Sequence, residues 1–398
     1  MGAGTCAPEN RLHLSQTRNC EMNSILNISI VIPTNGRVSL VERLLKSLVP
    51  ERNSYKYGKT EIIVVNSGNN EDSEQIKKLC KDYDAQFFEG ENSVRKKRNL
   101  GIKKASYEVI LFLDSDVAAE PGLLNLHAAK YLNSDEKNLG GVFGLTKFVG
   151  EKRWWWKVVE QTTYLDSFSF AERFPYNSWT IGNNVSFYKS VLFEVGLFEE
   201  NFPYPLGGDD LDLTYRITKT GYLIKSCPEA VTLHSTETWN HFKAIYDRTR
   251  RWGSMEYYIS KRHPEIFVNC IPKSCIMFLF MMILCSVIAL CAQRITPLVF
   301  FDFWWILHYF ALYLYDCIHK NGGNPVWYLL GKSIRVWYRL YYEVESLKNG
   351  DFSCFHKEMS FSLDQTKFML QREIFALKSF FVTFAALLCT FLVGSLII

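Results

Sequence analysis

Not one CxxC pair occurs among the 11 cysteines of this 398-residue chain, and none is spaced from a histidine as a metal ligand would be. That disfavours a structural zinc site and a disulfide framework. Cys275, Cys285, Cys291, Cys317 and Cys389 lie in apolar runs and read as reduced thiols facing lipid or core. The segment 1–26 carries Arg11 and Arg18 but no continuous apolar stretch, so it lacks the hydrophobic centre of a secretory signal and is expected to be a disordered or loosely packed leader. A large charge excess is missing too. The formal net charge of +4 is small for this length, and no nucleic-acid-binding module is discernible, so nucleic acid is not an expected partner.

What is present divides in two. Up to about Pro272 the chain mixes charged, polar and apolar residues as a soluble domain does, which sets a domain at 27–270. The remainder, 271–398, is crowded with Phe, Trp, Tyr and Leu. Within it, Ser274–Ala292 and Ser379–Ile398 are uncharged apolar runs of membrane-spanning length, so helices are expected at about 274–292 and 379–398. The stretch 297–318 is equally aromatic but contains Asp302, His308 and Asp316, and reads either as a third crossing or as an interfacial helix. Lys and Arg crowd 319–378, whereas only Arg294 separates the first two apolar runs. Positive residues favour the cytoplasmic side, which predicts an integral membrane protein of three crossings with the first domain on the cytosolic face. At 325–347, Trp327, Tyr328, Trp337, Tyr338, Tyr341 and Tyr342 interleave with Lys332, Arg335 and Arg339. That is an amphipathic segment for an anionic membrane surface, with membrane lipids as partners, or a helix packed on the first domain. Trp154-Trp155-Trp156 is either an interface anchor or an acceptor platform.

In the first domain, Asn27–Ile32 (NISIVI) is a short β-rich run, and Val38–Leu48 carries apolar residues at helical spacing. Glu61–Val65, Asp84–Glu89 and Val109–Leu113 repeat the strand pattern, with helices expected at Glu71–Tyr83 and Asn99–Ala105. The alternation predicts an α/β fold, a mostly parallel sheet with helices on both faces. Ligands bind such sheets beyond the carboxyl ends of the strands, where Pro33-Thr34, Asn66-Ser67 and Asp114-Ser115-Asp116 stand. Two carboxylates one residue apart at a strand mouth can ligate Mg2+ or Mn2+; alone, the same triplet can equally cap the turn before Pro121-Gly122.

Five blocks taken together, SIVIPTNGR, EIIVVNSGNN, RNLGIKKA with LFLDSDV, GNNVSFYKSVLFEVGLFEE and GGDDLDLTYRITKTGY, resemble family 2 glycosyltransferases in that family's order, over Ser29 to Trp252. The resemblance implies a Rossmann-like GT-A catalytic domain, with the apolar C-terminal part similar to the membrane anchors of many relatives. It implies inverting transfer from a nucleotide-sugar, most simply UDP-linked, with Mn2+ or Mg2+. By the family's pattern Asp116 holds the metal, Asp114 contacts the donor or completes the metal site, and His234 adds a ligand or is merely structural. Pro33, Thr34 and Asn66 would frame the nucleotide, and Arg98 and Asn99 would line its edge. One carboxylate of Asp209-Asp210 would be the general base, Asp210 ahead of Asp209, while Asp212 and Arg216 would pair along the helix. Gly207-Gly208 would make the preceding loop mobile. Asn183, Arg251 and Trp252 would meet the acceptor or the diphosphate, the last two from Arg248-Thr249-Arg250-Arg251-Trp252, which is similar to a Q-x-x-R-W element; a solvated basic helix face is the alternative. The chain departs from the pattern at Arg248, in the place of Gln, and at Asn66-Ser67, in the place of two acids; Asn keeps an acceptor oxygen for a base edge.

The expected activity is transfer of one sugar to a membrane-associated acceptor such as a lipid-linked glycan. A processive polysaccharide synthase would need more membrane helices. A non-catalytic nucleotide- or glycan-binding membrane protein is the alternative from another class. A nucleotidyltransferase would need a Gly-rich phosphate loop near the first strand, which is lacking.

Overall fold

The computed structural model describes residues 25–162, 164–269, 275–320, 324–353, 357–359 and 367–397; all but the last two residues of the expected leader lie outside them. The first domain runs β1 (Ile28–Thr34), α1 (Val38–Asn53), β2 (Thr60–Asn66), α2 (Asn70–Asp82), β3 (Gln86–Glu89), α3 (Val94–Lys104), β4 (Val109–Leu113), β5 (Val117–Ala119) and α4 (Leu123–Leu132). It continues through β6 (Leu139–Val149), α5 (Trp154–Glu160), α6 (Phe170–Arg173), β7 (Asn184–Tyr188), α7 (Lys189–Glu194), α8 (Asp209–Lys219), β8 (Leu223–Ser235), α9 (Phe242–Arg262) and β9 (Phe267–Asn269). The rest comprises α10 (Cys275–Ala292), α11 (Thr296–Lys320), α12 (Pro325–Lys348), β10 (Lys357–Met359) and α13 (Lys367–Ile397).

Eight strands form one mixed sheet in the order β3-β2-β1-β4-β7-β6-β8-β5. The β3-β2-β1-β4 half is parallel throughout; β7 runs antiparallel between β4 and β6, β8 lies parallel to β6, and β5 closes the edge antiparallel to β8. Alternation in β1 decides the two layers. Ile28, Ile30 and Ile32 pack with Val41, Leu44 and Leu48 of α1 on one face, and Val31 packs with Ile102 of α3 on the other, beside Ile63, Val65, Ile110 and Phe112. Because both faces are covered, these strands read as unbroken apolar runs, each fully buried side chain contributing roughly 1.5–3 kcal/mol.

Three elements differ from expectation for physical reasons. β3 starts at Gln86 because Asp84 sits at φ 50°, outside the strand region. α3 begins at Val94, five residues earlier than the apolar spacing suggested, since the buried side chains of its first turns are Arg95, Lys97, Arg98 and Asn99, with an apolar one only at Ile102. The last helix starts at Lys367 rather than 379; no Pro or Gly interrupts 367–378, and its Lys, Gln, Arg, Glu, Ala and Leu favour helix.

Among the described residues one helix, Thr296–His319, is long and apolar enough to cross a membrane, and Leu279–Cys291 and Ile374–Cys389 are shorter apolar stretches. The helix that is long and apolar enough carries Asp302 and Asp316. Two of its polar groups are satisfied by neighbouring helices: Ser379 of α13 bonds the His308 ring at 3.1 Å, and Tyr328 and Lys332 of α12 donate to Asp316 at 2.9 and 3.2 Å. Such internal pairing is what an apolar surround demands.

α12 lies on the first domain. Gly331 lets it approach α5 so closely that a Cβ there would stand 2.8 Å from the Cβ of Gln161, and Gly253 of α9 meets the carbonyl of Tyr338 in the same way. Ile334 joins the aromatic cluster of Trp156, Tyr164, Phe168 and Trp239, and Tyr342 joins Leu211, Tyr257 and Phe267. Tyr204 and Tyr258 both donate to Glu345, at 2.9 and 2.7 Å. The outer side of α12 leaves Val326, Leu329, Leu330, Val336 and Trp337 exposed, continuous with Trp154 and Phe242 through the Trp154–Trp327 and Phe242–Trp337 ring contacts.

Candidate active site

β1, β2 and β4 end side by side at Thr34, Asn66 and Leu113, so the turns that follow them share one edge of the sheet. Thr34 fixes the first turn through its hydroxyl, which donates to the Gly36 carbonyl at 2.7 Å. Gly36 and Arg37 then take left-handed backbone at φ 66° and 61° before α1 starts. Asn66 locks the second turn. Its Oδ1 accepts from the backbone of Gly36 and Gly68, at 3.0 and 3.1 Å, and its Nδ2 donates to Ser73 at 2.8 Å. The side chain expected to read a base edge is therefore consumed locally. Lys97 crosses the two turns instead, donating to the Thr34 carbonyl at 2.6 Å and the Ser67 hydroxyl at 2.8 Å. Burial, followed by the charges of Arg37 and Arg98, lowers its ammonium to about 8.

The third turn carries Asp114-Ser115-Asp116. Asp116 is buried between β4 and β5, its backbone carbonyl held by Arg43 at 2.7 Å. Its Oδ2 accepts from Arg37 Nη1 at 3.0 Å and from the Thr238 hydroxyl at 3.1 Å, and its Oδ1 lies 3.3 Å from His234 Nε2. Register explains that last contact: β5 pairs antiparallel with β8, bringing Val117 opposite His234. Burial alone would raise the Asp116 carboxyl; His234, Arg37, Arg248 and the Thr238 bond outweigh it and hold the group below the usual carboxylate range. Arg248 donates to the Thr238 carbonyl and lays its guanidinium 4.0 Å from the Trp239 ring centroid; burial is the main cause that lowers it to about 10.

A divalent ion fits this donor set. His234 Nδ1 donates to the Ser235 carbonyl at 2.9 Å, which orients the ring so that Nε2 faces Asp116 Oδ1 at 3.3 Å. Imidazole nitrogen and carboxylate oxygen are both common metal-ligand atoms, so the two side chains converge as a ligand pair would. Among the described residues no three His, Cys, Asp or Glu side chains cluster to cage an ion by themselves. Mg2+ and Mn2+ do not need such a cage, being commonly held by one or two side chains with substrate phosphates and water completing the shell.

Arg98 joins this triplet to the second acidic cluster. Only 4% exposed, it donates to Asp114 Oδ1 at 3.0 Å, to Asp209 Oδ2 at 2.7 Å and to the Gly182 carbonyl at 3.1 Å. A Cβ on Gly182 would stand 2.5 Å from the guanidinium, so a larger residue there would push Arg98 from its bonds. Burial leaves Asp114 above the ordinary range although Arg98 opposes it. Asp209 is fully engaged, accepting the Gly207 N–H at 3.0 Å as well. Asp210 accepts only the N–H groups of Leu211 at 3.0 Å and Gly182 at 3.2 Å. Burial and the neighbouring charge of Asp209 push it up to about 6, poised to take a proton near neutrality.

Other expected site residues have different surroundings. Asn99 spends its amide on the Phe198 backbone and on Glu200, and Asn183 spends its own on Thr146; neither amide bonds Asp114, Asp116, Asp209 or Asp210. Asp212 does bond Arg216, at 2.8 Å, yet it is also the hub for Arg262 and His263 at the end of α9. Trp252 packs its Cδ1 3.1 Å from where a Gly207 Cβ would stand, and its ring against Tyr164 at 5.1 Å. Arg251, whose Nε is without a hydrogen-bond partner, feels the charge of Arg37. Arg37, Lys97 and Thr238 were not singled out by sequence. Only Arg37 carried a signal, as a cation straight after Gly36 in the turn that follows the first strand.

Residues 29–196 match the family described as Glycosyl transferase family 2. Hyaluronan synthase of Pasteurella multocida is 23% identical over 249 residues, covering 52% of this chain and 24% of that protein. Chondroitin synthase of Escherichia coli is 25% identical over 249 residues, covering 52% and 34%. The chain spans about a quarter to a third of the length of these curated relatives. Among solved structures, the mannosyltransferase PcManGT from Pyrobaculum calidifontis, in complex with GDP-Man and Mn2+, is 16% identical, covers 82% of this chain and 87% of its own, and gives a TM-score of 0.47.

Proposed function

We propose, from the match of residues 29–196 to glycosyl transferase family 2, that this chain moves a sugar, with inversion, from a nucleotide-sugar to a hydroxyl of a glycan or lipid-linked acceptor at a membrane surface. The observation that carries the reading is the Arg98 bridge, which ties a cation-rich diphosphate side (Asp114, Asp116) to a proton-accepting side (Asp209, Asp210). In the transfer the acceptor oxygen bonds to the anomeric carbon while the bond from that carbon to the diphosphate oxygen breaks, its electron pair leaving with the nucleotide. The hydroxyl proton goes to Asp210. Asp209 cannot serve as well, since Arg98 and Gly207 already occupy it.

Arg37, Arg248 and Arg251 gather where negative charge would build up on the leaving diphosphate, and such fixed charges lower the barrier most in a water-poor site. Asp116 and His234 would hold Mn2+ or Mg2+, which supplies further neutralisation of the diphosphate oxygens. Trp252, beside Gly207, suits stacking on an acceptor sugar. The names of two relatives, synthases of hyaluronan and chondroitin, support a glycan acceptor. Helix 296–319 and the exposed aromatic face of α12 support attachment to a bilayer, with the domain on the cytosolic face as the Lys and Arg distribution suggests.

The test is release of free nucleotide from a panel of UDP-, GDP- and dTDP-sugars by the full chain in detergent with Mn2+. We expect release with one nucleotide class and its loss in Asp116→Ala. No release with any donor, together with unaltered donor binding in Asp116→Ala, rules the reading out.

A further inference from the structure

Arg37 is the one member of the cationic group that combines exposure with a bond to the candidate ion ligand. Its side chain is 45% exposed, whereas the Asp116 carboxylate it grips at 3.0 Å is 6% exposed. Arg43 is pinned to backbone carbonyls, and Arg248 to the Thr238 carbonyl and the Trp239 ring. Arg37 also holds a left-handed backbone, φ 61°, which a bulky L-residue seldom adopts. Strain of that kind persists where the aim of a side chain matters. With Arg37, Thr238 and His234 in place, both oxygens of Asp116 are taken. A divalent ion that takes the Oδ2 atom must displace the guanidinium, which would then join Lys97, Arg248 and Arg251, whose charges already oppose its own.

We propose that Arg37 is a resident counter-ion of Asp116, exchanged for the divalent ion when the donor's diphosphate arrives to receive the guanidinium, so that ion and nucleotide bind this chain synergistically. The inference rests on the proposed function. It assigns Arg37 two partners in sequence: the carboxylate in the empty state and the diphosphate in the loaded one. Removing Arg37 therefore has opposite effects on the two ligands. Ion binding without nucleotide improves because its competitor is gone, and nucleotide binding weakens because its cation is gone.

The experiment measures Mn2+ binding to the full chain in detergent from the electron paramagnetic resonance signal of free Mn2+, alone and with saturating UDP or GDP. In the wild type, nucleotide is expected to tighten Mn2+ binding by about five-fold or more, the lower end of common coupling strengths. Arg37→Asn, a residue that tolerates left-handed backbone, is expected to bind Mn2+ alone roughly three- to five-fold more tightly, to bind nucleotide more weakly, and to lose most of the coupling, which is reciprocal between the two ligands. Arg37→Lys, which keeps the charge, retains part of it. Nucleotide-free Mn2+ affinity that is unchanged or weaker in Arg37→Asn overturns the proposal. A wild type that binds Mn2+ and nucleotide independently overturns this inference alone, whereas a wild type that binds neither removes the functional reading with it.

Discussion

Replacing Arg98 by Met keeps the length and apolar stem of the side chain but removes a guanidinium that compensates two carboxylates. The wild-type group sits between Asp114 and Asp209 at 3.0 and 2.7 Å, with the Phe112 and Phe198 rings 5.9 and 5.4 Å from it. Breaking a buried ion pair from one side costs about 3–5 kcal/mol, because the remaining charge stays desolvated. Asp209 is 5% exposed, but Asp114 at 35% can recover some hydration, so the lower half of that range is expected. For a domain of this size such a loss lowers the melting temperature by on the order of 10 °C. A second effect is electrostatic. Arg98 is the nearest charge holding the Asp210 carboxyl down from the position to which burial and Asp209 push it, so its removal moves the acid limb of the pH–rate profile upward from about 6. Intrinsic-fluorescence melting and kcat/KM between pH 5 and 9 would read both. Arg98→Lys, which can reach one carboxylate but not fork between two, should fall between. A melting temperature within about 2 °C of the wild type in Arg98→Met, with the acid limb unmoved, would refute the bridge as the link between the two halves of the site.

Further outcomes are expected at single residues. Asp210→Asn should lower kcat by roughly 10²–10⁴-fold, the usual share of a general base, while nucleotide affinity by isothermal titration stays near wild type. In the unmutated chain, protonation of Asp210 should halve kcat/KM as pH falls through about 6. The sign for stability is opposite: a carboxyl raised in the folded state favours folding in acid, and that contribution fades as pH rises through about 6. Asn66→Asp preserves both acceptances from Gly36 and Gly68, and the Ser73 hydroxyl can turn to donate. It should melt close to wild type and keep the same preference between UDP and GDP, whereas Asn66→Ala strands two backbone donors and costs about 1–3 kcal/mol. Gly331→Val forces α12 off α5, with an overpacking cost of about 1–3 kcal/mol, visible as earlier melting and faster proteolysis at α12.

Legibility in the sequence followed burial chemistry. β1, β2 and β4 announced themselves because strands covered on both faces are unbroken apolar runs, and the acids at 114, 116, 209 and 210 stood directly after such runs or after Gly207-Gly208. The start of α3 was hidden by the polarity of its buried side chains. A helix whose first inward side chains are Arg95, Lys97, Arg98 and Asn99 has no apolar period to read at its start. β6 was obscured by Gly140, Gly141 and Gly144, which look like loop residues. A Cβ at these positions would stand 2.8 Å from Tyr222, 2.5 Å from Phe187 and 2.3 Å from Asn184, respectively, so close neighbours impose glycine on a strand. The type of Asn66 was informative but its partners were not, since a side chain with both donors and acceptors can be used up by the turn it stands in.

The seating of α12 on α5 and α9 bears on the order of assembly. Ile334 and Tyr342 complete two clusters whose other members, from Trp156 to Phe267, leave the ribosome earlier. Until α11 has been delivered to its final environment and α12 follows it out, those aromatic faces and the Glu345 partners Tyr204 and Tyr258 stand uncovered. Synthesis of the apolar helices and completion of these two clusters are thereby chained in time, and a nascent protein that stalls before α12 would lack the Ile334 and Tyr342 contacts that close them.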